Sequence, residues 1–201
     1  EVVLIPQVAM RRWLQATLAA EHGVAANIEF LTPGEFVGRA LAANLPAPRD
    51  EQGRKLDELD VETLHWHLYA ALTDRALLAQ PAMQRIAAHV GGDDPLRAWS
   101  LAGELANVFN KYQAWRRDWL LRWEDGAGPD DPQAILWRRV ARGRPHRARR
   151  IQQYLERFDR IDGELPRGLP TRLSAFATLN VSPDVLRVIA TQARVGTLHL
   201  F

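Results

Sequence analysis

The sequence lacks cysteine entirely and has only two lysines, Lys55 and Lys111, among its 201 residues. Without cysteine, disulfide bridges, thiolate zinc sites and cysteine nucleophiles are excluded. There is no apolar run long enough to cross a bilayer and no signal segment at the start, so we expect a cytoplasmic protein with no membrane partner. Because the sequence opens without Met and both of its ends are strand-like, we also expect it to be a fragment of a longer protein.

The residues that hold nucleotide phosphates are missing as well. Neither lysine stands in the Gly-Lys-Ser/Thr pattern of a phosphate-binding loop. The apolar segment 172–180, where ATPases of α/β topology carry their magnesium carboxylates, contains no acid before Asp184. Asp57-Glu58 does not follow an apolar strand and does not predict a magnesium site. We therefore expect no catalytic residue, no cofactor and no metal in this part of the protein.

What is present is the alternation of an α/β fold. Short apolar segments predict four strands, at Val2–Ile5, Asn27–Phe30, Arg172–Ala177 and Thr197–Phe201. A helix over residues 8–22 with Gly23 as its stop follows the first strand, and the capping pattern Thr32-Pro33-Gly34-Glu35 opens a helix after the second. Ser182-Pro183 opens another, which reaches about Ala193. This order predicts a parallel, doubly wound sheet.

A long stretch without strand character separates the second predicted strand from the third. Residues 1–45 and 166–201 are predicted to form a discontinuous α/β core, and residues 46–165 an inserted all-helical subdomain. Its predicted helices cover Asp60–Thr73, Met83–Val90, Asp94-Pro95 to about Tyr112, Asp118–Trp123, Asp131–Arg142 and Pro145–Phe158.

Two helical segments have the composition of a nucleic-acid surface. Residues 132–155 contain seven arginines and His146 without a single acid, which suits phosphate contacts, although a solvated helical face explains the pattern equally well. Residues 107–126 place Asn107, Asn110, Lys111, Gln113 and Arg116 among aromatic side chains, the inventory for binding unpaired bases. Within the same segment, Phe109, Trp119 and Trp123 recur at helical spacing and are predicted to be buried.

Several runs resemble the RecC family, the gamma subunit of bacterial exodeoxyribonuclease V (RecBCD). The resemblance covers nearly the whole chain and lies in Trp13-Leu-Gln15, residues 23–30, Pro33, Phe36, Tyr112, Arg116, Asp118-Trp-Leu120, Trp123-Glu124, Gly143, residues 145–148 and Gly168-Leu-Pro170. It implies a superfamily 1 helicase fold that has lost its ATPase residues. It also implies a subunit that splits the duplex, guides the 3′-ended single strand and recognises the recombination hotspot Chi as unpaired DNA. RecB- and RecD-type partners would supply ATP hydrolysis and DNA cleavage.

The resemblance also implies a set of Chi-reading positions. Carried over residue by residue, they are Pro6, Val8, Arg12, Thr32, Gly38, Asn107, Val108, Asn110, Lys111, Arg116 and Arg147. Arg116 and Arg147 keep the residue types of the best-known members. Asn107 and Asn110 replace acids, Arg12 replaces a neutral amide and Gly38 an aromatic residue. Because base-edge readers set sequence preference, these departures predict a hotspot different from the familiar Chi octamer.

Two other functions are compatible with the sequence. One is an active superfamily 1 helicase whose phosphate loop lies in a part of the protein that precedes this sequence. The other is a structural scaffold whose tryptophan-rich faces contact partner proteins only.

Overall fold

A computed structural model describes residues 1–92, 94, 96–177 and 180–201. It divides into two compact units. The sheet unit consists of Glu1–Pro46 and Ile151–Phe201, and the helical unit of Ala47–Arg150. The predicted insertion of residues 46–165 into a helicase-type core stays a prediction.

The sheet unit contains a four-stranded sheet in which all strands are parallel, as predicted. Its strands are β1 (Val2–Leu4), β2 (Glu29–Leu31), β3 (Arg172–Ala175) and β4 (Thr197–Leu200), in the spatial order β2-β1-β3-β4. Strand β1 thus lies between β2 and β3, with Val3 in register with Phe30 on one side and Ser174 on the other.

Five of the predicted strand boundaries were wrong: β1, β2 and β4 end at Leu4, Leu31 and Leu200, each one residue from the prediction, and two further boundaries differ by more. Strand β2 begins at Glu29 rather than Asn27, because Asn27 has a φ of 58°, in the left-handed region, and cannot continue a strand. Strand β3 ends at Ala175, and Ala177 has a φ of 51°. The acid-free segment 172–180 also includes Thr178 and Leu179, which lie outside the described residues.

Alternate residues of β1 serve two apolar clusters, one on each face of the sheet. Val3 and Ile5 pack with Leu14 of α1 (Met10–His22). Val2 and Leu4 pack in a larger cluster built from α2 (Pro33–Asn44), the part of α9 (Arg147–Phe158) from Ile151 onward, and α10 (Pro183–Ala190). Successive side chains of a strand point to opposite faces of the sheet. A parallel sheet that is covered on both faces therefore needs apolar side chains on each face.

Local signals set where the helices of this unit begin and end. The predicted capping box of α2 is confirmed: the Glu35 N–H donates to Thr32 Oγ1 at 3.2 Å, and the Thr32 N–H donates to Glu35 Oε2 at 2.7 Å. Gly23 ends α1 with a φ of 79°. Helix α10 ends at Ala190, earlier than predicted, and a 3-10 turn over Thr191–Arg194 follows.

The helical unit contains α3 to α8 and the start of α9. Their bounds are Val61–Leu72 (α3), Arg75–Leu78 (α4), Gln84–Val90 (α5), Leu96–Trp115 (α6), Arg117–Glu124 (α7) and Pro132–Ala141 (α8). The short α4 was not predicted; the Asp74 carboxylate caps it by accepting from the Ala76 and Leu77 N–H groups. Helix α6 is longer than predicted, and Pro95 of its predicted start lies outside the described residues.

One apolar core holds these helices together. Phe109, Leu136 and Trp137 are fully buried in it, with Leu64 and Leu68 of α3. Helix α6 faces this core with Ala98, Ala102 and Ala106, and such small side chains allow a neighbouring helix to approach closely. Within the described residues, no helix has both the length and the apolar character needed to span a bilayer.

Candidate nucleic-acid interface

The solvent-facing side of α6 carries three of the predicted site residues. Asn107, Asn110 and Lys111 are all exposed, and their spacing of three and four places them on one face of the helix. Phe109, between them in sequence, points into the core instead. The Asn107 amide donates to the Gly103 carbonyl at 3.1 Å. This face therefore presents two amides and one ammonium group to solvent.

Arg116 stands at the break between α6 and α7. Its backbone (φ −139°, ψ 39°) leaves the helical region, and its exposed side chain donates from Nη1 to the Trp115 carbonyl at 2.9 Å. The guanidinium carbon lies 5.5 Å from the centroid of the Trp119 ring, a cation–π distance. Trp115 is 45% exposed and Trp119 39% exposed. A cation and two large aromatic rings are thus accessible at the α6–α7 corner.

The prediction that Trp119 is buried was wrong, whereas Phe109 is fully buried as predicted and Trp123 is half-buried. The helix break at Arg116 interrupts the periodicity on which the prediction depended. Trp119 is nevertheless held in place, because its ring meets Tyr112 edge to face at 5.7 Å and Trp123 at 6.5 Å. A partly exposed ring with fixed neighbours can accept a stacked base without first being ordered.

Gln113 was predicted to bind bases and is instead buried. Its Nε2 donates to the Leu59 carbonyl at 2.8 Å, and its Oε1 accepts from the Arg147 N–H at 2.8 Å. The side chain therefore joins the last turn of α6 to the first residue of α9. Its role in the structure is to fix these segments.

Arg147 differs from Arg116 in its surroundings. It is half-buried, and burial lowers the pKa of its guanidinium, while the nearby Glu58 carboxylate acts in the opposite direction. Of the two arginines for which the resemblance implies a retained residue type, Arg116 is the accessible one. Because Arg147 is half-buried, a nucleic acid could contact only the exposed part of its side chain.

In the structure, acids from outside segment 132–155 neutralise several of its arginines. Acids from other parts of the chain meet its arginines: Asp74 pairs with Arg139 at 3.1 Å, Glu124 with Arg149 at 2.7 Å, and Glu58 with Arg150. The Arg138 guanidinium donates to the carbonyls of Trp123, Ala127 and Gly128. Several arginines of this segment therefore bind groups of the helical unit itself, a use that neither the phosphate-contact nor the solvated-face prediction included.

Sequence reasoning missed the role of Glu124. Its Oε1 accepts from His146 Nε2 at 2.9 Å and from Trp137 Nε1 at 3.1 Å, and its Oε2 accepts from Arg149. Burial raises the pKa of Glu124, but these hydrogen bonds, with His146 first, outweigh it and hold the pKa at about 2. His146 Nδ1 also accepts from the Arg149 N–H at 3.3 Å and so caps α9. The partners are 13 to 25 residues away from Glu124, beyond the reach of local patterns.

The remaining candidates lie in the sheet unit. Pro6, Val8 and Arg12 are exposed where β1 passes into α1, at the carboxyl end of a strand flanked by parallel neighbours, the usual ligand-binding edge of such sheets. Gly38 is exposed, and a Cβ built there would meet nothing within 4 Å. Thr32 is half-buried, and both its N–H and its hydroxyl are engaged with Glu35.

Comparison with known proteins identifies the family. The model of the family described as "RecC, N-terminal domain" matches residues 1–201. Similar proteins include the RecBCD enzyme subunits RecC of Escherichia coli K12 (27% identical), Haemophilus influenzae (23%) and Mycolicibacterium smegmatis (29%), each aligned over the whole of this chain. The chain spans 18 to 20% of the length of these relatives. The chain belongs to the family of RecC N-terminal domains.

Proposed function

We propose that this chain is part of a non-catalytic DNA-binding subunit of a RecBCD-type helicase/nuclease. In this role it guides the 3′-ended single strand and recognises a Chi-type hotspot during double-strand break repair. The observation that carries the proposal is the α6–α7 corner, where Arg116 and Trp119 are accessible, together with Lys111, which is exposed one turn before the end of α6. Stacking rings beside cations and amides bind unpaired nucleic acid.

Four further assignments belong to this proposal. The sheet unit represents an inactivated superfamily 1 helicase core, since the described part of the acid-free segment, with β3 at its start, offers no carboxylate for magnesium. Residues 46–165 form a helical insertion into that core. RecB- and RecD-type subunits are the protein partners, as the name of the matched relatives suggests, and they supply catalysis. The complex acts in the bacterial cytoplasm.

Eight of the positions carried over from the RecC resemblance divide into two classes. Six have accessible side chains and are proposed to contact the strand directly: Arg116, Lys111, Asn107, Asn110, Val8 and Arg12. The Thr32 hydroxyl and the Arg147 N–H already form hydrogen bonds within the chain. These two residues are therefore proposed to contribute through the shape of the surface as well as by contact. Because Asn107 and Asn110 offer both donors and acceptors where acids offer acceptors only, the hotspot read is proposed to differ from the familiar Chi octamer.

The test is a hotspot assay of the reconstituted complex. Arg116→Ala and Arg147→Ala are each expected to weaken the hotspot response on the scale of about 1–3 kcal/mol for each base contact that the variant removes. Arg139→Ala, whose guanidinium is paired with Asp74, is the matched control and should leave the response unchanged. If Arg116→Ala weakens the binding of all sequences equally, its contact is to phosphate and the recognition role is wrong. Efficient attenuation of nuclease activity at the familiar octamer would contradict the altered specificity.

A scaffold function is the second candidate, and the ion-paired arginines of segment 132–155 together with the exposed Trp13 and Trp66 favour it. This second candidate predicts that partner subunits bind the surfaces that carry Trp13, Trp66 and segment 132–155. Under this alternative, no substitution on α6 would change DNA binding once assembly is intact.

A further inference from the structure

An exposed aromatic cluster lies between α3 and α6, outside the residues proposed to contact DNA. Trp66 is 58% exposed, and its ring meets that of Trp99 at 4.9 Å with an interplanar angle of 66°. Tyr69 also meets Trp99 edge to face at 5.4 Å. The His65 ring lies 3.9 Å from the Trp99 ring, and its Nε2 contacts the Trp99 carbonyl at 3.0 Å. Trp66 is thus supported from one side and open on the other.

The cluster continues the accessible face of α6 that bears the proposed DNA contacts. With 3.6 residues per turn, one stripe of this helix contains Leu96, Trp99, Ser100, Gly103, Asn107, Asn110 and Lys111. All of these are exposed or half-buried, and none is acidic. Eight residues separate Trp99 from Asn107, a rise of about 12 Å along the helix.

Gly103 explains how α3 reaches this stripe. A Cβ at this position would lie 3.3 Å from His65 Cε1, closer than most real contacts. The glycine therefore allows the His65 ring to rest against α6, which brings the next residue of α3, Trp66, to the border of the stripe. The only acid of α6, Glu104, is exposed at the border of this stripe, about 20° from Lys111 around the helix axis.

We propose that Trp66, supported by Trp99, is a second base-stacking surface that extends the path of the unpaired strand along α6. This inference rests on the proposed function, because the strand it binds is the one proposed to pass Asn107 and Arg116. The stripe offers the amides of Asn107 and Asn110 and the ammonium group of Lys111 to an unpaired strand, with Glu104 at its border. Glu62 is exposed one turn before Trp66 on α3, so the contact expected there is with a base rather than with a phosphate.

The experiment uses the full-length protein in its reconstituted complex and a thymidine oligonucleotide that contains 5-iodouracil. Ultraviolet cross-linking should attach the oligonucleotide to Trp66. Trp66→Ala should weaken binding about tenfold, the lower to middle part of the range for one stacked base, without changing the salt dependence. Trp66→Phe should restore most of the affinity. Arg139→Ala is the control, because its guanidinium pairs with Asp74 in the same helical unit and it is not among the proposed contact residues.

The possible outcomes separate this inference from the proposed function. If Trp66→Ala binds like the parent protein while Lys111→Gln and Arg116→Gln bind more weakly, the second stacking surface is wrong and the proposed function stands. If no variant on α3 or α6 alters binding and no cross-link forms, both fail. If Trp66→Ala prevents assembly with partner subunits but leaves DNA binding intact, Trp66 contacts protein and the inference is overturned.

Discussion

The α6–α7 corner and the arginine-rich segment 132–155 contain similar residue types but use them differently. In the segment, Asp74, Glu124 and Glu58 arrive from distant positions and neutralise arginines. At the corner, Arg116 covers an aromatic ring and Lys111 remains exposed. Three arginines of the segment pair with acids, whereas Arg116 at the corner lies over the Trp119 ring. Surface charge therefore depends on which acids the fold brings in, and a local count of arginines cannot give it.

The largest expected effect is on the free energy of unfolding. It distinguishes the contacts of segment 132–155 from the exposed residues at the α6–α7 corner. Glu124→Ala removes one carboxylate from His146, Arg149 and Trp137, and leaves the buried His146 without its Nε2 partner. We expect the free energy of unfolding to fall by about 3 kcal/mol, measured by denaturant unfolding. Lys111→Ala, at the corner, is the control and should change it by less than about 0.5 kcal/mol.

The same carboxylate predicts a pH dependence. Its pKa in the folded protein, about 2, is below the ordinary value of 4.5, so its contribution is fully present above pH 4.5 and is lost as the pH falls toward 2. The stability difference between the parent protein and Glu124→Ala should shrink across this window. A difference that stays constant from about pH 6 to about pH 2.5 would contradict the network described here.

A smaller effect is expected for Gln113, which joins the end of α6 to the start of the arginine-rich α9. Gln113→Leu leaves the Leu59 carbonyl and the Arg147 N–H without a side-chain partner, and should cost about 2 kcal/mol of unfolding free energy. If Arg147 acts in recognition, Gln113→Leu should also lower the hotspot response more than it lowers non-specific DNA binding. Gln113→Glu keeps the acceptor for Arg147 and should retain more of the response; equal losses in both variants would contradict this role.

The smallest expected effect on stability concerns Thr32, which caps α2 in the sheet unit. Thr32→Ala removes the capping box of α2 and should destabilise the chain by about 1 kcal/mol, whereas Thr32→Ser keeps the cap. Both variants should bind DNA alike if Thr32 acts only as a cap. A loss of hotspot response in Thr32→Ala, once stability is matched, would show that its methyl group or hydroxyl also takes part in recognition.

The sequence predicted the features that local chemistry controls. The capping box at Thr32, the stop at Gly23 and the parallel arrangement of the strands follow from short-range patterns and chain connectivity. The burial of Gln113 and the exposure of Trp119 could not be predicted, because the first depends on Leu59, far away in sequence, and the second on the helix break at Arg116. The domain assignment and the Chi-reading positions stay predictions.

The salt dependence of single-stranded DNA binding by the full-length protein tests the role of the α6–α7 corner most directly. In the double variant Lys111→Gln/Arg116→Gln, the slope of log K against log salt should become less negative by about 1.4, at about 0.7 for each phosphate that is no longer neutralised. The matched variant Arg139→Gln/Arg149→Gln removes two arginines that already pair with acids, and it should keep the parent slope. A parental slope for the α6–α7 variant and a reduced slope for the other would contradict the assignment of DNA binding to this corner.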